Sequence, residues 1–573
     1  MSGRYWISLV ASIAALVLLQ SSCALITQTL ETRGEKQFKP QPPPSPAGTH
    51  VLIFAMDGAT PAQFMDAIHS GHAPNIATLL GKDGGNGVFE HAYAAPHALS
   101  VLPSSTIADW AAIFTGSTPA YDGIPGDEWF ERATMQFYAP VPVSVPDAAD
   151  NAKVVTNDLV GRQLRVPTLF EDLHRSSNVS LLSIHRGATI YTTVAPGSFP
   201  DLMEHLIKGQ LRGEDPEKSL SGAIDRDSTQ KVLDAFKEHG IPDLQVVYLP
   251  GIDIFTHAAS DRLVGQERYL EHVTDGCVGR VLDEYRRAGV LDHTYVVFIS
   301  DHAHIPTLDD KRHELGTGDE HSPFEAVHKA GFRVRRASLF LPNTDDDYQA
   351  VLAYQGFMAY IYLADRSTCP RDDDRCDWKK PARFEEDVIP VLKSIYRSNT
   401  KGRPVAKLKG TIDLIFARPG VPGGQDALPY MVFDGQDLVP IREYLHAHPR
   451  PDLIDLEQRM NWLSAGPYGN RAGDILLLAR ACTNIPIGDR YFFSGITHYT
   501  WHGSACEQDG HIPFILAKAN ATGEEMRSIM SDFGGDAPSE RELTPLVRAL
   551  FPRPIEAQTA AAKATDASPT DAR

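Results

Sequence analysis

The feature that most constrains this chain is a set of short apolar runs, each stopping at a polar residue and separated by helix-like patterns. His50 to Met56 is one such run, closed by Asp57-Gly58. Val179 to Ile184, Leu244 to Leu249, Thr294 to Ile299 and Ile512 to Leu516 are others, the last following the Asp509-Gly510 turn. Runs of this kind read as strands buried on both faces. Thr60 to His69, Asn75 to Leu80, Ser228 to Glu238 and Glu267 to Arg287 carry helical periodicity between them. Strands alternating with helices predict an α/β fold, a mostly parallel sheet sandwiched by helices.

A chain of 573 residues has room for one large α/β domain with insertions or for two to three ordinary domains. The runs place a catalytic core in two parts, 48–324 and 491–552. Residues 325–490, with Pro/Gly-rich connections at Arg418 to Gly424 and short strands such as Gly410 to Ala417, read as an inserted cap or extra layer. The formal net charge of −19 argues against binding a nucleic-acid polymer, which requires a basic surface. It leaves small anionic substrates open, because bound divalent metals reverse the local sign.

The two ends read differently from the middle. Arg4 followed by the apolar stretch Ile7 to Leu19 suits the h-region of a signal peptide over residues 1–23. It is shorter than the roughly 20 residues a membrane span needs. Gln20-Ser21-Ser22-Cys23-Ala24 admits two outcomes, plain cleavage or lipidation of Cys23, so the expected location is periplasmic or anchored to the outer membrane as a lipoprotein. Residues 24–47 end in a Pro-rich linker, and 553–573 form an Ala/Thr/Asp-rich tail expected to be disordered. Export implies an oxidising compartment. Cys369 and Cys376 flank a short polar loop and make the easiest disulfide; Cys482 and Cys506 are available for a second, leaving Cys277 free.

Four segments end in residues of metal-ligand type. Asp57 follows the first run, Asp253 and His257 stand four residues apart after the Leu244 run, Asp301-His302 follow the Thr294 run, and His502 precedes the Ile512 run. In open α/β sheets ligands gather beyond the carboxyl ends of strands, so these side chains can converge. Carboxylate and imidazole donors without sulfur suit zinc in a catalytic site. Singly each is an ordinary turn or surface residue; their order and attachment to strand ends carry the signal. Between the first and second of these segments, Ile107 to Phe114 reads as a helix capped by Ser105 or Thr106. A helix start also favours phosphate oxygens and a hydroxyl-derived alkoxide.

Val51 to Gly58, Ala73 to Leu80, Thr106 through Thr115-Gly116, and Tyr121-Asp122-Gly123-Ile124-Pro125-Gly126-Asp127 together resemble the alkaline phosphatase superfamily, in its nucleotide pyrophosphatase/phosphodiesterase branch. The resemblance spans about Thr49 to Glu320 and Gly495 to Ala519. It implies two zinc ions, or other divalent metals: one held by Asp253, His257 and His502, the other by Asp57, Asp301 and His302 with Thr106. It implies Thr106 as the nucleophile, a phosphothreonine intermediate and a small phosphate-ester substrate. The branch carries an amide where this chain has Asp127, which a turn residue explains equally well. His185 and Arg186 stand after a strand, where monoesterase relatives place cations. A phosphomonoesterase on the same site is therefore an alternative to the diesterase. A sulfatase or phosphonate hydrolase is a rival enzyme, although the sulfatase nucleophile motif is absent near Thr106. A non-catalytic metal-binding surface lipoprotein is a third reading.

Overall fold

A computed structural model describes residues 48–551 except 142, 144–158, 181, 193–214, 317–321, 337–345, 372 and 420–427. The expectations for the signal segment with Cys23, the Pro-rich linker and the C-terminal tail fall outside the described residues.

Three adjacent parallel strands form the centre. His50–Met56 pairs with Leu244–Leu249 on one side and Thr294–Ser300 on the other, in a register that sets Met56 opposite both Leu249 and Ser300. Ser177–Ser180 and Ile190–Thr192 continue the parallel order beyond Leu244–Leu249. On the far side of Thr294–Ser300, Phe514–Ala517 pairs antiparallel, followed by Ala92–Ala94. The fold is α/β with a central, mostly parallel seven-stranded sheet flanked by helices.

The central strand shows why both faces are covered. Its residues point alternately to opposite faces. Val51, Ile53 and Ala55 join a core containing Trp110, Ile113 and Phe114, whereas Leu52, Phe54 and Met56 join one containing Phe64, Val232 and Val278. All six are fully buried, which explains the unbroken apolar run. A fully buried side chain of this size stabilises the fold by about 1.5–3 kcal/mol.

Residues 350–479 supply a second, six-stranded antiparallel sheet, ordered Ala350–Tyr354, Met358–Leu363, Ile475–Ala479, Ile412–Ala417, Met431–Phe433 and Leu438–Pro440. Its core is continuous with the Trp110 side of the main sheet. Disulfides join Cys369 to Cys376 and Cys482 to Cys506, and Cys277 is a free, buried thiol.

Local details correct the sequence expectations. The strand expected over Val179 to Ile184 is Ser177–Ser180, because the Leu182 N–H turns back to the Ser180 carbonyl. The helical segment expected from Glu267 begins at Leu263 and carries a π-helical turn at Leu270–Thr274 before continuing to Arg287. The strand expected over Ile512 to Leu516 is Phe514–Ala517, and it runs against its neighbours.

Candidate active site and metal centre

The register of the three central strands builds the site. Asp57 directly follows Met56 and Asp301 directly follows Ser300, so both carboxyls leave the sheet at one level. The third strand feeds the helix Gly251–Ala258, which carries Asp253 and His257 one turn apart. His502 arrives from a separate part of the chain. Its segment Thr500–Trp501 pairs antiparallel with Ile305–Pro306, which begins three residues after His302, and this ribbon brings the two histidines together. Their rings stack with centroids 3.7 Å apart.

The donor atoms expected from the sequence fall into two groups. Asp57, Asp301 and His302 form one; Asp253, His257 and His502 form another; in each, the ligand atoms lie within 4.8 Å of one another. His302 Nε2 is 3.4 Å from Asp57 Oδ1 and 3.7 Å from Asp301 Oδ2. His257 Nε2 is 3.2 Å from Asp253 Oδ1, and His502 Nε2 is 3.7 Å from the same oxygen.

Several observations test whether these residues suit a cation. Asp57 Oδ1, Asp253 Oδ1 and Asp301 Oδ2 are buried without a hydrogen-bond partner, an arrangement that is costly unless something else compensates it. The imidazoles are oriented from behind. His257 Nδ1 faces the Thr500 carbonyl (2.7 Å), His302 Nδ1 the Ala303 carbonyl (3.2 Å) and His502 Nδ1 the Ser104 carbonyl (3.2 Å). A carbonyl only accepts, so each Nδ1 carries a proton and each Nε2 is turned toward the cluster, the orientation of metal-ligating histidines. The donor set fits divalent metal binding.

The electrostatics agree. Burial, together with the Asp301 and Asp253 charges, pushes the Asp57 carboxyl well above its ordinary range, and burial raises Asp301 to about 7. Burial drives His302 down to about 3 and His502 well below its usual value. Burial opposes the charge on Asp253, but His257 and His304 outweigh it and hold that carboxyl low. Burial likewise pulls His257 down, yet Asp253 prevails and raises it. One half of the site thus tends to hold protons and the other an ion pair, and a bound cation relieves both.

Thr106 is the first residue of the helix Thr106–Thr115, and its Oγ1 lies 3.2 Å from His302 Nε2. The expected cap is corrected here. Ser105 occupies the N-cap position without capping, and its hydroxyl has no partner. Asp127 caps the helix from a distance: the Ile107 N–H donates to its Oδ1 at 2.9 Å. The same carboxyl is fully buried, its Oδ2 lacks a partner, and burial pushes its pKa up to about 8.

The structure therefore brings Asp57, Thr106, Asp127, Asp253, His257, Asp301, His302 and His502 to one place. Arg186 is occupied elsewhere. Its guanidinium bonds Glu171 and the carbonyls of Gly161, Leu164 and Val166, tying down the segment before the Ser177–Ser180 strand. His185 bonds the Leu182 carbonyl through Nδ1 and stacks on Tyr191.

Three residues here went unread in the sequence. Tyr248 donates its hydroxyl to Asp57 Oδ2 and packs edge-on against Trp110 of the Thr106–Thr115 helix. Gln355 accepts the Asp127 N–H through Oε1 at 2.7 Å. His304 packs edge-on against His257 and lies 3.2 Å from Asp253 Oδ1. Only His304 left a trace, its position two residues after His302. Gly58 makes room for this cluster. Its φ is +67°, and a Cβ there would lie 2.6 Å from His304 Nε2 and 3.0 Å from Asp253 Cβ.

Carboxylates and imidazoles at adjacent ends of a parallel sheet, beside a hydroxyl at a helix start, are an arrangement suited to metal-assisted hydrolysis. The sequence model of the type I phosphodiesterase/nucleotide pyrophosphatase family matches residues 51–378. The chain belongs to that family, whose members are divalent-metal-dependent phosphoric ester hydrolases. Murine ectonucleotide pyrophosphatase/phosphodiesterase 5 is similar in structure at TM-score 0.46 and 11% identity, over 87% of this chain and 94% of that one. Phosphonoacetate hydrolase from Sinorhizobium meliloti, in complex with phosphonoformate, is similar at TM-score 0.45 and 15% identity, over 88% and 96%. No curated protein matches the sequence.

Proposed function

We propose that the protein is an exported phosphodiesterase that holds two zinc ions and works through a phosphothreonine on Thr106. The observation that carries this reading is the pair of three-donor groups with the Thr106 hydroxyl 3.2 Å from His302 Nε2. Asp57, Asp301 and His302, with the Thr106 oxygen, would hold one ion; Asp253, His257 and His502 would hold the other. Bound divalent ions lower the pKa of a coordinated hydroxyl and offset charge on phosphoryl oxygens.

The chain's own residues supply the rest. Thr106 Oγ attacks phosphorus in line, forming a P–O bond as the ester P–O bond breaks and the leaving alkoxide takes up a proton. Water then attacks the phosphothreonine, regenerating the Thr106 hydroxyl and releasing a phosphate monoester. The start of the Thr106–Thr115 helix stabilises the alkoxide. A neutral His302 keeps its Nε2 as an acceptor on the cluster side. The diester reading is supported by Arg186, whose donors are taken by Glu171 and backbone carbonyls instead of being free for the extra charge of a monoester. Export and lipidation of Cys23 rest on the N-terminal segment, and two disulfides suit an oxidising compartment.

Elemental analysis of the purified protein should find about two zinc ions per chain. Thr106→Ala should lose nearly all turnover while retaining most of the metal, and Ser105→Ala should stay near wild type. Equal losses in Ser105→Ala, with Thr106→Ala near wild type, would overturn the nucleophile. If Cys23 is lipidated, the protein partitions into detergent and Cys23→Ser releases it to the soluble fraction. Unchanged partitioning in both removes the anchor.

A further inference from the structure

We propose that His304 is a fourth imidazole ligand of the metal centre, binding the ion at Asp253 through Nε2. The proposal rests on the metal-binding reading above but concerns a residue outside the two three-donor groups.

His304 is 1% exposed and sits between His302 and the Ile305–Pro306 ribbon strand that positions His502. Its Nε2 lies 3.2 Å from Asp253 Oδ1, beside the His257 Nε2 at 3.2 Å and the His502 Nε2 at 3.7 Å. Three imidazole nitrogens thus surround one carboxylate oxygen. Ligand atoms on a tetrahedral zinc with bonds of about 2.0–2.1 Å stand about 3.3–3.4 Å apart. The spacings of the three nitrogens from the Asp253 oxygen, 3.2, 3.2 and 3.7 Å, bracket that value.

The hydrogen-bond geometry argues against the plainer role of a simple partner for Asp253. Asp253 Oδ1 and both ring nitrogens of His304 are buried without a hydrogen-bond partner. The 3.2 Å contact is therefore an electrostatic one that is not aligned as an N–H···O hydrogen bond. A common partner lying off the line between them satisfies both. Asp253, His302 and His304 also form a donor group with ligand atoms within 4.8 Å, which places His304 at the junction of the two halves. Gly58 is the backbone counterpart, since any Cβ there would meet His304 Nε2 at 2.6 Å. With His304 the ion at Asp253 has four protein donors, so an open position for substrate requires five-coordination.

The test uses the full-length zinc-loaded protein and counts imidazoles by zinc X-ray absorption, with affinity from chelator competition. Two ions share three imidazoles without His304 and four with it. Four are expected in the wild type. His304→Phe fills the same space without a donor, and His304→Gln keeps a hydrogen-bond donor toward Asp253. Both should show three imidazoles and bind the weaker-held ion about tenfold or more less tightly. Both should match the wild type in thermal unfolding when stripped of metal, which separates lost ligation from lost folding. Three imidazoles in the wild type, or full affinity in His304→Gln, would overturn the proposal and leave His304 a positioning residue. A wild type that binds one ion defeats the two-ion reading alone; His304 is then judged by whether His304→Phe removes an imidazole from that ion.

Discussion

The two sheets of this molecule contribute to the same site in opposite ways. The seven-stranded sheet delivers Asp57, Asp253, His257, Asp301 and His302 from the ends of three neighbouring strands. The six-stranded sheet delivers no donor, yet it touches the site twice through hydrogen bonds. Gln355, just after Ala350–Tyr354, accepts the Asp127 N–H, and the Phe357 N–H donates to the His502 carbonyl. The difference follows from strand direction. Parallel strands end on one edge, so residues that follow them converge. Antiparallel strands end alternately on both edges, and what remains useful to a neighbouring site is a rigid set of backbone and amide groups. One sheet carries the carboxylates and imidazoles of the site and the other braces it.

The largest expected effect comes from breaking the donor side. Asp253→Asn replaces the oxygen around which three imidazoles gather. It should lower both metal content and activity, the latter by about 10²–10³-fold or more. Full metal content in this variant would show that the parallel sheet does not carry the ion.

Breaking the bracing side should look different. Gln355→Ala leaves the buried Asp127 N–H without its acceptor, which costs about 1–3 kcal/mol of stability. The melting temperature should fall and kcat/KM should drop about tenfold as Asp127 shifts, with metal content unchanged. Metal loss equal to that of Asp253→Asn would erase the distinction between the sheets.

Asp127→Asn sharpens the comparison with the smallest effect. Burial raises this carboxyl to about 8, so below that pH it holds a proton on the Oδ2 that has no hydrogen-bond partner, while Oδ1 accepts from the Ile107 N–H. An unfolded Asp releases its proton near pH 4. The proton's contribution to stability is therefore complete below about pH 4 and is lost as pH rises through about 8. Asn mimics the protonated form at every pH. The kcat/KM ratio of variant to wild type should stay near one below pH 7 and rise toward about tenfold above pH 8, the worth of one hydrogen bond to a charged oxygen. A ratio that stays flat across that range would place Oδ2 away from the substrate.

Much of the fold was legible because it depends on local pattern. His50–Met56 and Leu244–Leu249 appear with the boundaries the apolar runs suggest, since a strand buried on both faces has no other composition open to it. Asp57, Thr106, Asp253, His257, Asp301, His302 and His502 stood out in the sequence by their places beside strands or in the first turns of helices, and the structure brings them together. His304 was missed because a histidine two residues after Asp301-His302 has no meaning until Asp253 is known to face it. Arg186 shows the converse: a cation after a strand resembles a phosphate ligand until Glu171 and three carbonyls surround it.

What the amino-acid order determined by itself is therefore the central strands of the main sheet, the residues placed at their ends and the family they belong to. Those properties are short-range, set by apolar periodicity and by which residue follows which. Tertiary structure alone decided the partners. Tyr248 meets Asp57 across 191 positions, Gln355 meets Asp127 across 228, and the Ser104 carbonyl orients His502 across 398. Such pairs leave no periodic trace, because each depends on two surfaces closing over a buried polar atom that then needs a partner.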